Sequence, residues 1–442
     1  MAQRSVFPIP RFITLTAVLA TPLGAGAAER VSLANDGSEA DSFSQEASVS
    51  EDGRFVTFQS AASNFAPGDE PPPMSTFGTA QADIFVFDTQ TQTIELVSRG
   101  LDGAPANGNS DPSISGDGRY VAFVSSADNL VADDLNDAGD IFVYDRETQT
   151  LERINEGPGG EDADGLNDET AISFDGGAVA FESTAPNLVA DDTNDLRDIF
   201  VWSRAGSIER VSVAQDGSEA DGISDQPAIS RDGRFVAFES NATNLVADDT
   251  NGRRDIFLVD RELGTIERID VTADGTESDA NSEHPSISAD GRFVAFESRA
   301  TNLVPDVLNG SNNIFVKDRA TGAVSLISQS TDGVSADAFC EWPSISPDGQ
   351  LVVFDCPATT LTSIDTGSRE SVYLRDLRSG TTSLISTGVS DPSGNDRSFR
   401  PSMGIDAVAF ASLATNLVAD DNNGFEDIFV VRFNVFADGF EN

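Results

Sequence analysis

The stretch Ala228–Ile269 reads AISRDGRFVAFESNATNLVADDTNGRRDIFLVDRELGTIERI, and the chain is built from copies of it. The Asp-Gly pair at Asp232-Gly233 marks the spacing of the copies. Equivalent pairs begin at Asp52, Asp117, Asp175, Asp290 and Asp348, and the last copy reads Ile405-Asp406. Successive copies lie 65, 58, 57, 58, 58 and 58 residues apart. A fixed period of this length is typical of solenoids, propellers and other repeat arrays.

Each copy contains four short apolar segments that are separated by turn signals. In the quoted copy they are Ala228–Ser230, Phe235–Glu239, Ile256–Val259 and Ile266–Ile269. The Asp-Gly pair between the first two segments indicates a tight hairpin, because glycine tolerates the positive φ that such a turn requires. The continuously apolar second segment is typical of a strand that is covered on both faces. Four antiparallel strands per copy, with no helical pattern between them, predict the blade of a β-propeller.

The segment Pro285–Phe296 reads PSISADGRFVAF and resembles the TolB-type WD40-like propeller repeat. Partial copies at Pro112–Phe123, Pro227–Phe238 and Pro343–Phe354 agree with this pattern, and the resemblance extends over residues 28–433. It implies a propeller fold but no particular role, because propellers carry many unrelated activities. In TolB a separate α/β domain precedes the propeller, and we do not expect an equivalent domain within these 442 residues.

The two ends of the repeat array complete each other. Ala28–Asp41 nearly duplicates Ile208–Asp221, which spans a fourth strand and the loop after it, whereas Asp427–Phe433 ends after a third strand. We therefore predict an all-β, seven-bladed propeller of four-stranded antiparallel blades in which Glu29–Leu33 completes the last blade. Such closure removes the free edge of the last sheet.

The segments outside the array suggest an exported protein. Met1–Ala27 has the features of a signal peptide: arginines at positions 4 and 11, the apolar segment Phe12–Ala20 and a small-residue cleavage site near Ala27. We therefore expect a signal peptide at 1–27, a propeller at 28–433 and a short tail at 434–442. No later apolar segment is long enough to span a membrane, so we expect a secreted or periplasmic protein without membrane insertion.

Charge limits the possible partners. The 442 residues include 74 acidic and 27 basic side chains, which give a net charge of −47. This charge disfavours nucleic acid and anionic lipid, because like charges repel, and it favours cations and basic proteins. The expected partner is a protein or a component of the cell envelope, bound by a monomer.

Blades one and six depart from the pattern. Blade one has an insertion, Pro67–Ala82, which is rich in proline and glycine and indicates a loop. Blade six contains both cysteines, Cys340 and Cys356, each eight residues from Asp348 at the hairpin turn. Antiparallel pairing would place them opposite each other, within reach of a disulfide bond. Two buried free thiols are the alternative if the register slips by one residue.

Acidic loops are expected to share one face of the disc. The loops between strands two and three and the loops from strand four to the next blade leave the sheets on the same side. The first class repeats the pattern D-x-N-x-x-x-D, which is similar to the later half of calcium loops such as those of FG-GAP repeats. Its predicted metal ligands are Asp134, Asn136, Asp140, Asp192, Asn194, Asp198, Asp249, Asn251, Asp255, Asp421, Asn423 and Asp427. Calcium requires six to eight oxygen ligands, so neighbouring groups or water must supply the remainder. The alternative is that these residues cap turns.

One residue per blade precedes the innermost strand and is predicted to lie at the mouth of the central channel. These residues are Glu46, Asp111, Glu169, Gln226, His284, Trp342 and Arg400. A mixed polar ring of this kind suits a small ligand, although a solvated rim is the alternative. His284 is the only histidine, and no G-x-S-x-G motif is present, so no catalytic residue is predicted.

Two functions from different classes fit these features. The first is a secreted, non-enzymatic propeller that binds a protein or envelope component through its acidic face, where calcium binding is also predicted. The second is a lyase or hydrolase that uses the channel mouth around His284. A deep funnel in which His284, Arg400 and a carboxylate converge would favour the enzyme, and a flat acidic rim would favour binding.

Overall fold

The protein folds into seven four-stranded antiparallel sheets. The structure is a computed structural model that describes residues 25–66, 82–101, 103–106, 111–132, 134, 136, 138–305, 307 and 310–433. The predicted tail, nearly all of the predicted signal peptide and nearly all of the blade-one insertion lie outside these residues. Within them the structure contains 28 strands, and it contains no helix that is long and apolar enough to cross a membrane.

The strands follow the same order in every blade. Blade 1 contains β2 (Ser44–Val49), β3 (Phe55–Ser60), β4 (Asp83–Asp88) and β5 (Thr93–Leu96). Blade 2 contains β6 (Pro112–Ile114), β7 (Tyr120–Ser125), β8 (Asp140–Asp145) and β9 (Thr150–Arg153). Blade 3 contains β10 (Asn167–Ile172), β11 (Ala178–Ser183), β12 (Asp198–Ser203) and β13 (Ser207–Arg210). Blade 4 contains β14 (Ser224–Ile229), β15 (Phe235–Ser240), β16 (Asp255–Asp260) and β17 (Thr265–Arg268).

The last three blades include the ring closure. Blade 5 contains β18 (Ser282–Ile287), β19 (Phe293–Ser298), β20 (Asn313–Asp318) and β21 (Ala323–Leu326). Blade 6 contains β22 (Glu341–Ile345), β23 (Leu351–Cys356), β24 (Ser371–Asp376) and β25 (Thr381–Leu384). Blade 7 contains β26 (Ser398–Met403), β27 (Ala407–Ser412), β28 (Asp427–Arg432) and, from the other end of the chain, β1 (Glu29–Arg30).

The pairing of β1 with β28 confirms the predicted closure and the count of seven blades. Glu29 lies opposite Val430 and Arg30 lies opposite Phe429, and the Val31 N–H donates to the carbonyl of Ile428. Pairing extends further towards the N-terminus, because Ala25 bridges Phe433. Two chain ends that are about 400 residues apart in sequence thus hold one sheet together.

The second and third strands of each blade form the buried centre of the sheet. Every blade places an aromatic side chain of its second strand beside one of its third strand, as Phe238 lies beside Phe257 with ring centroids 6.0 Å apart. Both rings of this pair are fully buried. The F-V-A-F segments form these strands because aromatic and β-branched residues suit a pleated sheet that neighbouring sheets cover on both faces.

The hairpin between the first two strands explains the S-x-D-G-R signature. In blade 4 the Asp232 carboxylate accepts hydrogen bonds from the Ser230 hydroxyl and the Arg234 N–H, and Gly233 takes a φ of 72°. Arg234 then binds Asp260 of the third strand through two hydrogen bonds of 2.8 and 2.6 Å. The signature therefore maintains the turn on the face opposite the acidic loops.

The first strand of the unit is longer than the predicted segment. It begins at Ser224 rather than Ala228, and its pairing with β15 skips from Asp225 to Ala228. The two unpaired residues, Gln226 and Pro227, form a β-bulge. The apolar pattern could not indicate this extension, because the bulge carries polar residues and a proline.

Candidate functional site

The seven predicted ring residues occupy equivalent positions at the start of the innermost strands, on the side of the disc that carries the acidic loops. Six of them have a left-handed backbone, with φ of 53° (Glu46), 38° (Glu169), 53° (Gln226), 50° (His284), 52° (Trp342) and 49° (Arg400). Asp111 is the exception. Non-glycine residues rarely adopt this conformation, and it concentrates at functional sites. Each of these six residues lies in the β-bulge of its first strand, whereas the first strand of blade 2 pairs without a bulge.

Buried carboxylates support the bulges in four blades. The backbone N–H of Gln226, His284, Trp342 or Arg400 donates to a carboxylate on the second strand of the preceding blade. The acceptors are Glu182, Glu239, Glu297 and Asp355, at distances of 3.1, 2.8, 3.2 and 3.2 Å. Each carboxylate is almost fully buried. One blade thus positions the ring residue of the next.

Three ring side chains contact one another. Trp342 lies between His284 and Arg400 in the ring order, with 4.0 Å between the His284 and Trp342 ring centroids. The Arg400 guanidinium lies 4.5 Å from the Trp342 centroid, within cation–π range. Arg400 also pairs with Glu46. This half of the mouth is therefore a continuous stack of cationic and aromatic groups.

His284 has a carboxylate partner of its own. Its Nδ1 lies 3.2 Å from Glu297 Oε1, although the alignment is too poor for a regular hydrogen bond. Burial alone would lower the pKa of His284, but Glu297 and the charges of Glu239 and Glu283 outweigh it and raise the pKa above 6.5. His284 and Arg400, which lie on either side of Trp342, thus have different acidic partners: Glu297 and Glu46 respectively.

The other half of the ring is acidic. Burial and the charge of Asp168 raise the pKa of Asp111 to about 6. Burial and the charges of Asp111 and Asp168 raise the pKa of Glu169 to about 7. Because these side chains disfavour each other's ionisation, this half of the mouth favours a positive charge or a neutral group over an anion.

Beneath the ring lies a cavity of about 270 Å³. Ring residues form its upper wall, and prolines and serines of the first strands form its sides. At the far end of the channel the hairpins bind one another across the axis. Arg231 pairs with Glu51 at 2.6 Å and lies 3.7 Å from the Phe174 ring centroid. These contacts join hairpins of different blades at the end of the channel opposite the ring.

The predicted metal loops each surround an arginine. In blade 3, Arg210 Nη1 lies 3.0 Å from Asp192, 3.4 Å from Asp198 and 2.8 Å from Glu219. In blade 4, Arg268 Nη1 lies 3.3 Å from Asp249, 3.7 Å from Asp255 and 2.7 Å from Glu277.

Blades 7 and 2 repeat the arrangement. In blade 7, Arg30 Nη1 lies 3.3 Å from Asp421, 3.5 Å from Asp427 and 2.8 Å from Glu39. In blade 2, Arg153 binds Asp140 at 3.3 Å and Asp162 at 2.5 Å, and Asp134 lies close enough to respond to its charge. A guanidinium thus supplies the positive charge for which calcium was predicted, and calcium binding at these oxygens remains a prediction.

The asparagines of these loops act as turn residues. The side-chain oxygens of Asn136, Asn194, Asn251 and Asn423 accept the backbone N–H two residues ahead, at 2.8 to 3.0 Å. Three of them donate through Nδ2 to the last aspartate of the loop, as Asn194 does to Asp198 at 3.0 Å. An amide that donates to the carboxylate and accepts from the backbone maintains the loop without a metal ion.

A sequence signal for these arginines was present. The four blades with the D-x-N-x-x-x-D loop are the four whose last strand carries arginine before its apolar end, as in I-E-R. Blades 1, 5 and 6 have leucine there, at Leu96, Leu326 and Leu384. In blade 5 the whole set is uncharged: Val307, Asn313, Leu326 and Ser335 replace Asp192, Asp198, Arg210 and Glu219 of blade 3. This co-occurrence of acids and arginine within one chain indicates that the loops and the arginines belong together.

Exposed apolar side chains concentrate on the acidic side. Among the described residues, nine large hydrophobic side chains are exposed. Seven belong to the loops of the acidic side: Leu101, Leu166, Ile223, Val334, Phe339, Val389 and Phe425. The other two, Leu263 and Ile405, lie in hairpins of the opposite side. We call the side with the seven the acidic face.

One further carboxylate group lies behind the ring in blade 6. Oxygens of Glu341, Asp355 and Glu370 all lie within 4.8 Å of one another. The residue equivalent to Glu370 is Arg197 in blade 3 and Arg254 in blade 4, where each arginine pairs with the buried glutamate of the second strand. Burial and Glu370 raise the pKa of Asp355 well above 3.8. The three carboxylates offer oxygen ligands that are close enough together to hold one metal ion.

The cysteines of blade 6 lie where other blades have a serine pair. Cys340 and Cys356 form a disulfide bond, with their Cα atoms 4.3 Å apart. At the same place in blade 4 the hydroxyls of Ser224 and Ser240 are 3.0 Å apart. The disulfide thus replaces a hydrogen bond between the two innermost strands.

No protein-family model and no curated protein sequence matches this chain, but solved structures with the same fold do. An oligogalacturonate lyase from Vibrio parahaemolyticus is 15% identical, with a TM-score of 0.53 over 93% of this chain and 96% of that one. The β-propeller domain of the Trilobed protease from Pyrococcus furiosus is 12% identical, with a TM-score of 0.52 over 89% of this chain and 97% of that domain. TolB from Acinetobacter baumannii is 17% identical, with a TM-score of 0.44 over 80% of this chain and 67% of that one. At these identities the likeness concerns the fold alone: the chain is a seven-bladed β-propeller, and its repeat resembles the TolB-type WD40-like repeat in sequence.

Proposed function

We propose that this chain is a binding module outside the cytoplasm that takes a basic, partly apolar segment of a protein or envelope component on its acidic face. One observation carries the proposal: seven of the nine exposed large hydrophobic side chains among the described residues lie on that face. Concentrated exposed apolar residues mark interaction surfaces in soluble proteins.

The negative charge of the acidic face indicates that the partner is basic. The same face carries an exposed Asp-Gly turn in several blades, as at Asp36, Asp216, Asp274 and Asp332. The four arginines closest to these loops are already bound to carboxylates inside the loops, so they do not present free positive charge. A net charge of −47 attracts a basic partner from a distance and raises its association rate.

A synthetic peptide of alternating lysine and leucine tests this proposal by calorimetry. We expect binding that weakens as salt rises, and no binding of the peptide in which glutamate replaces lysine. Phe339→Ser with Leu166→Ser should weaken binding about tenfold or more, since buried apolar anchors dominate interfaces. Leu263→Ser, equally exposed on the opposite side, is the matched control and should change nothing. Equal losses in both variants would refute the assignment of the face.

A lyase or hydrolase at the channel mouth is the second candidate. It is favoured by the contact of His284 and Arg400 with Trp342 beside Glu46, and by two oligogalacturonate lyases among the structures with this fold. His284 would act as the base through Nε2, because its Nδ1 faces Glu297. The test is to incubate the protein with oligogalacturonate and to follow the ultraviolet absorbance of the solution. A lyase would increase this absorbance, because it produces an unsaturated uronate. The absence of any product, or an equal rate with His284→Gln, would remove this candidate.

A further inference from the structure

The cavity below the ring is bordered by hydroxyl groups whose protons have no assigned acceptor. Five serines of the first strands each accept a hydrogen bond from a backbone N–H of the next blade, at 3.0 to 3.4 Å. They are Ser48, Ser113, Ser286, Ser344 and Ser402, and all five line the cavity. Among the described residues none of these hydroxyls donates a hydrogen bond to the protein. Each therefore has a proton to donate to a group in the channel.

A sixth hydroxyl points more directly to a ligand. Thr170 Oγ1 is buried, lines the same cavity and has no hydrogen-bond partner among the described residues. Leaving a buried hydroxyl unpaired costs roughly 1–3 kcal/mol, so such groups usually have a partner. The equivalent residue in five other blades is proline, at Pro112, Pro227, Pro285, Pro343 and Pro401. A hydroxyl at this position is thus not required by the fold.

The remaining walls combine flat apolar surfaces with charges that are already matched. The five prolines and Trp342 border the cavity. Arg400 is paired with Glu46, and His284 lies against Glu297, so neither cationic side chain is free to bind an anionic ligand. Asp111 and Glu169 belong to the ring at the mouth and not to the lining of the cavity, and their charges disfavour the entry of an anion. The ligand that suits hydroxyl donors, apolar surfaces and no net charge is a neutral polyhydroxylated ring.

We propose that this cavity binds one neutral pyranose ring, with Thr170 and the serine hydroxyls contacting its oxygens and Trp342 lying beside it. A volume of about 270 Å³ lies below the range of about 300–1,000 Å³ typical of drug-sized ligands, so it suits a single ring rather than a chain. The inference goes beyond the proposed function, because it concerns the cavity and not the exposed loops.

The chain contains two tryptophans, and this makes a specific assay possible. Trp202 is buried in blade 3, so Trp202→Phe leaves Trp342 at the mouth as the sole tryptophan emitter. We expect saturable changes in its emission with methyl glucoside, methyl galactoside or N-acetylglucosamine at millimolar concentration. Glycerol at equal molarity should have no such effect, and glucuronate should bind at least tenfold more weakly. Calorimetry on the unchanged protein gives the same measurement without the substitution.

Two variants locate the site. Thr170→Val removes the unpaired hydroxyl and keeps the shape, and Ser344→Ala introduces the residue that blades 3 and 4 carry as Ala171 and Ala228. Each should weaken sugar binding about threefold to tenfold, the loss expected for one neutral hydrogen bond. Ser207→Ala on the outer strand of blade 3 is the control and should bind normally.

Any of four results would overturn the inference. The first three are no saturable response to any pyranose in folded protein, a response to glycerol of equal size, and normal binding by Thr170→Val. Tighter binding of glucuronate than of the neutral sugars would also overturn it. Binding of the basic peptide to the acidic face does not use Thr170, so Thr170→Val should leave it unchanged. A failure of the sugar site and a failure of the proposed function are therefore distinguishable.

Discussion

The arginine cluster of blade 3 gives a quantitative test of the fold. The perturbation is Arg210→Leu, which introduces the residue that blades 1, 5 and 6 carry at this position. Arg210 Nη1 is within 3.4 Å of Asp192, Asp198 and Glu219, and its Nη2 donates to the Asp191 carbonyl at 2.7 Å. The arginine side chain is 5% exposed, and the two aspartates are 2% and 0% exposed. The substitution leaves three acids close together with no cation.

We expect Arg210→Leu to lower the free energy of unfolding by about 3–5 kcal/mol, the usual loss when one partner of a buried charge cluster is removed. The loss should be smaller at acidic pH, because the unpaired carboxyls then take up protons. Burial already raises the pKa of Asp192 and of Asp198 in the intact protein, and the charge of Arg210 opposes this rise. Removing the arginine therefore raises both pKa values further.

Introducing the remaining blade 5 residues into the Arg210→Leu variant should restore its free energy of unfolding. Replacing Asp192, Asp198 and Glu219 with the valine, asparagine and serine of blade 5, together with Arg210→Leu, removes every charge of the cluster. Removing every charge leaves none uncompensated, and fully apolar replacement of a buried ionic cluster is neutral or stabilises by about 1–4 kcal/mol. Because two of the four replacements are polar, we expect the quadruple variant to be close to the unchanged protein in stability. Urea unfolding followed by Trp202 fluorescence measures both variants. A loss below about 1 kcal/mol for the single variant, or a quadruple variant no more stable than the single one, would refute this reasoning.

Three further predictions concern other buried groups. Burial and Asp255 raise the pKa of Asp270 well above 3.8, so its ionisation destabilises the fold as pH rises. Asp270→Ser introduces the residue that most of the other blades carry at this position. It should increase the free energy of unfolding by about 0.5–2 kcal/mol at pH 8 and by little near pH 4, which urea unfolding at both pH values measures. Cys340→Ser with Cys356→Ser should give a folded protein that loses up to about 3 kcal/mol and no longer responds to reductant in a melting assay. Arg268→Leu exposes the oxygens of its loop, so millimolar calcium should raise the melting temperature of this variant more than that of the unchanged protein, whereas equal responses would indicate general screening.

The repeat period was sufficient to predict the architecture. Six Asp-Gly hairpins, the divergent seventh copy at Ile405-Asp406 and the near-duplication of Ile208–Asp221 at Ala28–Asp41 predict both the number of blades and the closure, because equivalent residues of a repeat occupy equivalent places. The ring at the channel mouth follows from the same alignment. Its internal contacts do not, because a left-handed backbone at glutamate, tryptophan or arginine has no residue signature of the kind that glycine provides.

The acidic loops show how much a local pattern leaves out. The D-x-N-x-x-x-D pattern supplies oxygens at a spacing that suits calcium. The arginine that the structure places among them follows the last aspartate of the loop by 12 or 13 residues in blades 2 to 4. In blade 7 it lies at the other end of the chain, where Arg30 contacts Asp421. A comparison of all seven fourth strands would have indicated the arginine. The exposed hydrophobic residues of the acidic face had no signal at all, because exposure depends on how the loops pack.

Hydrogen exchange of the protein with and without the lysine–leucine peptide tests the central claim most directly. The account predicts protection in the loops that carry Leu166, Ile223 and Phe339, and unchanged exchange in the hairpins that carry Leu263 and Ile405. Protection on those hairpins, or no protection on either side at a saturating peptide concentration, would contradict the assignment of the acidic face as the binding surface.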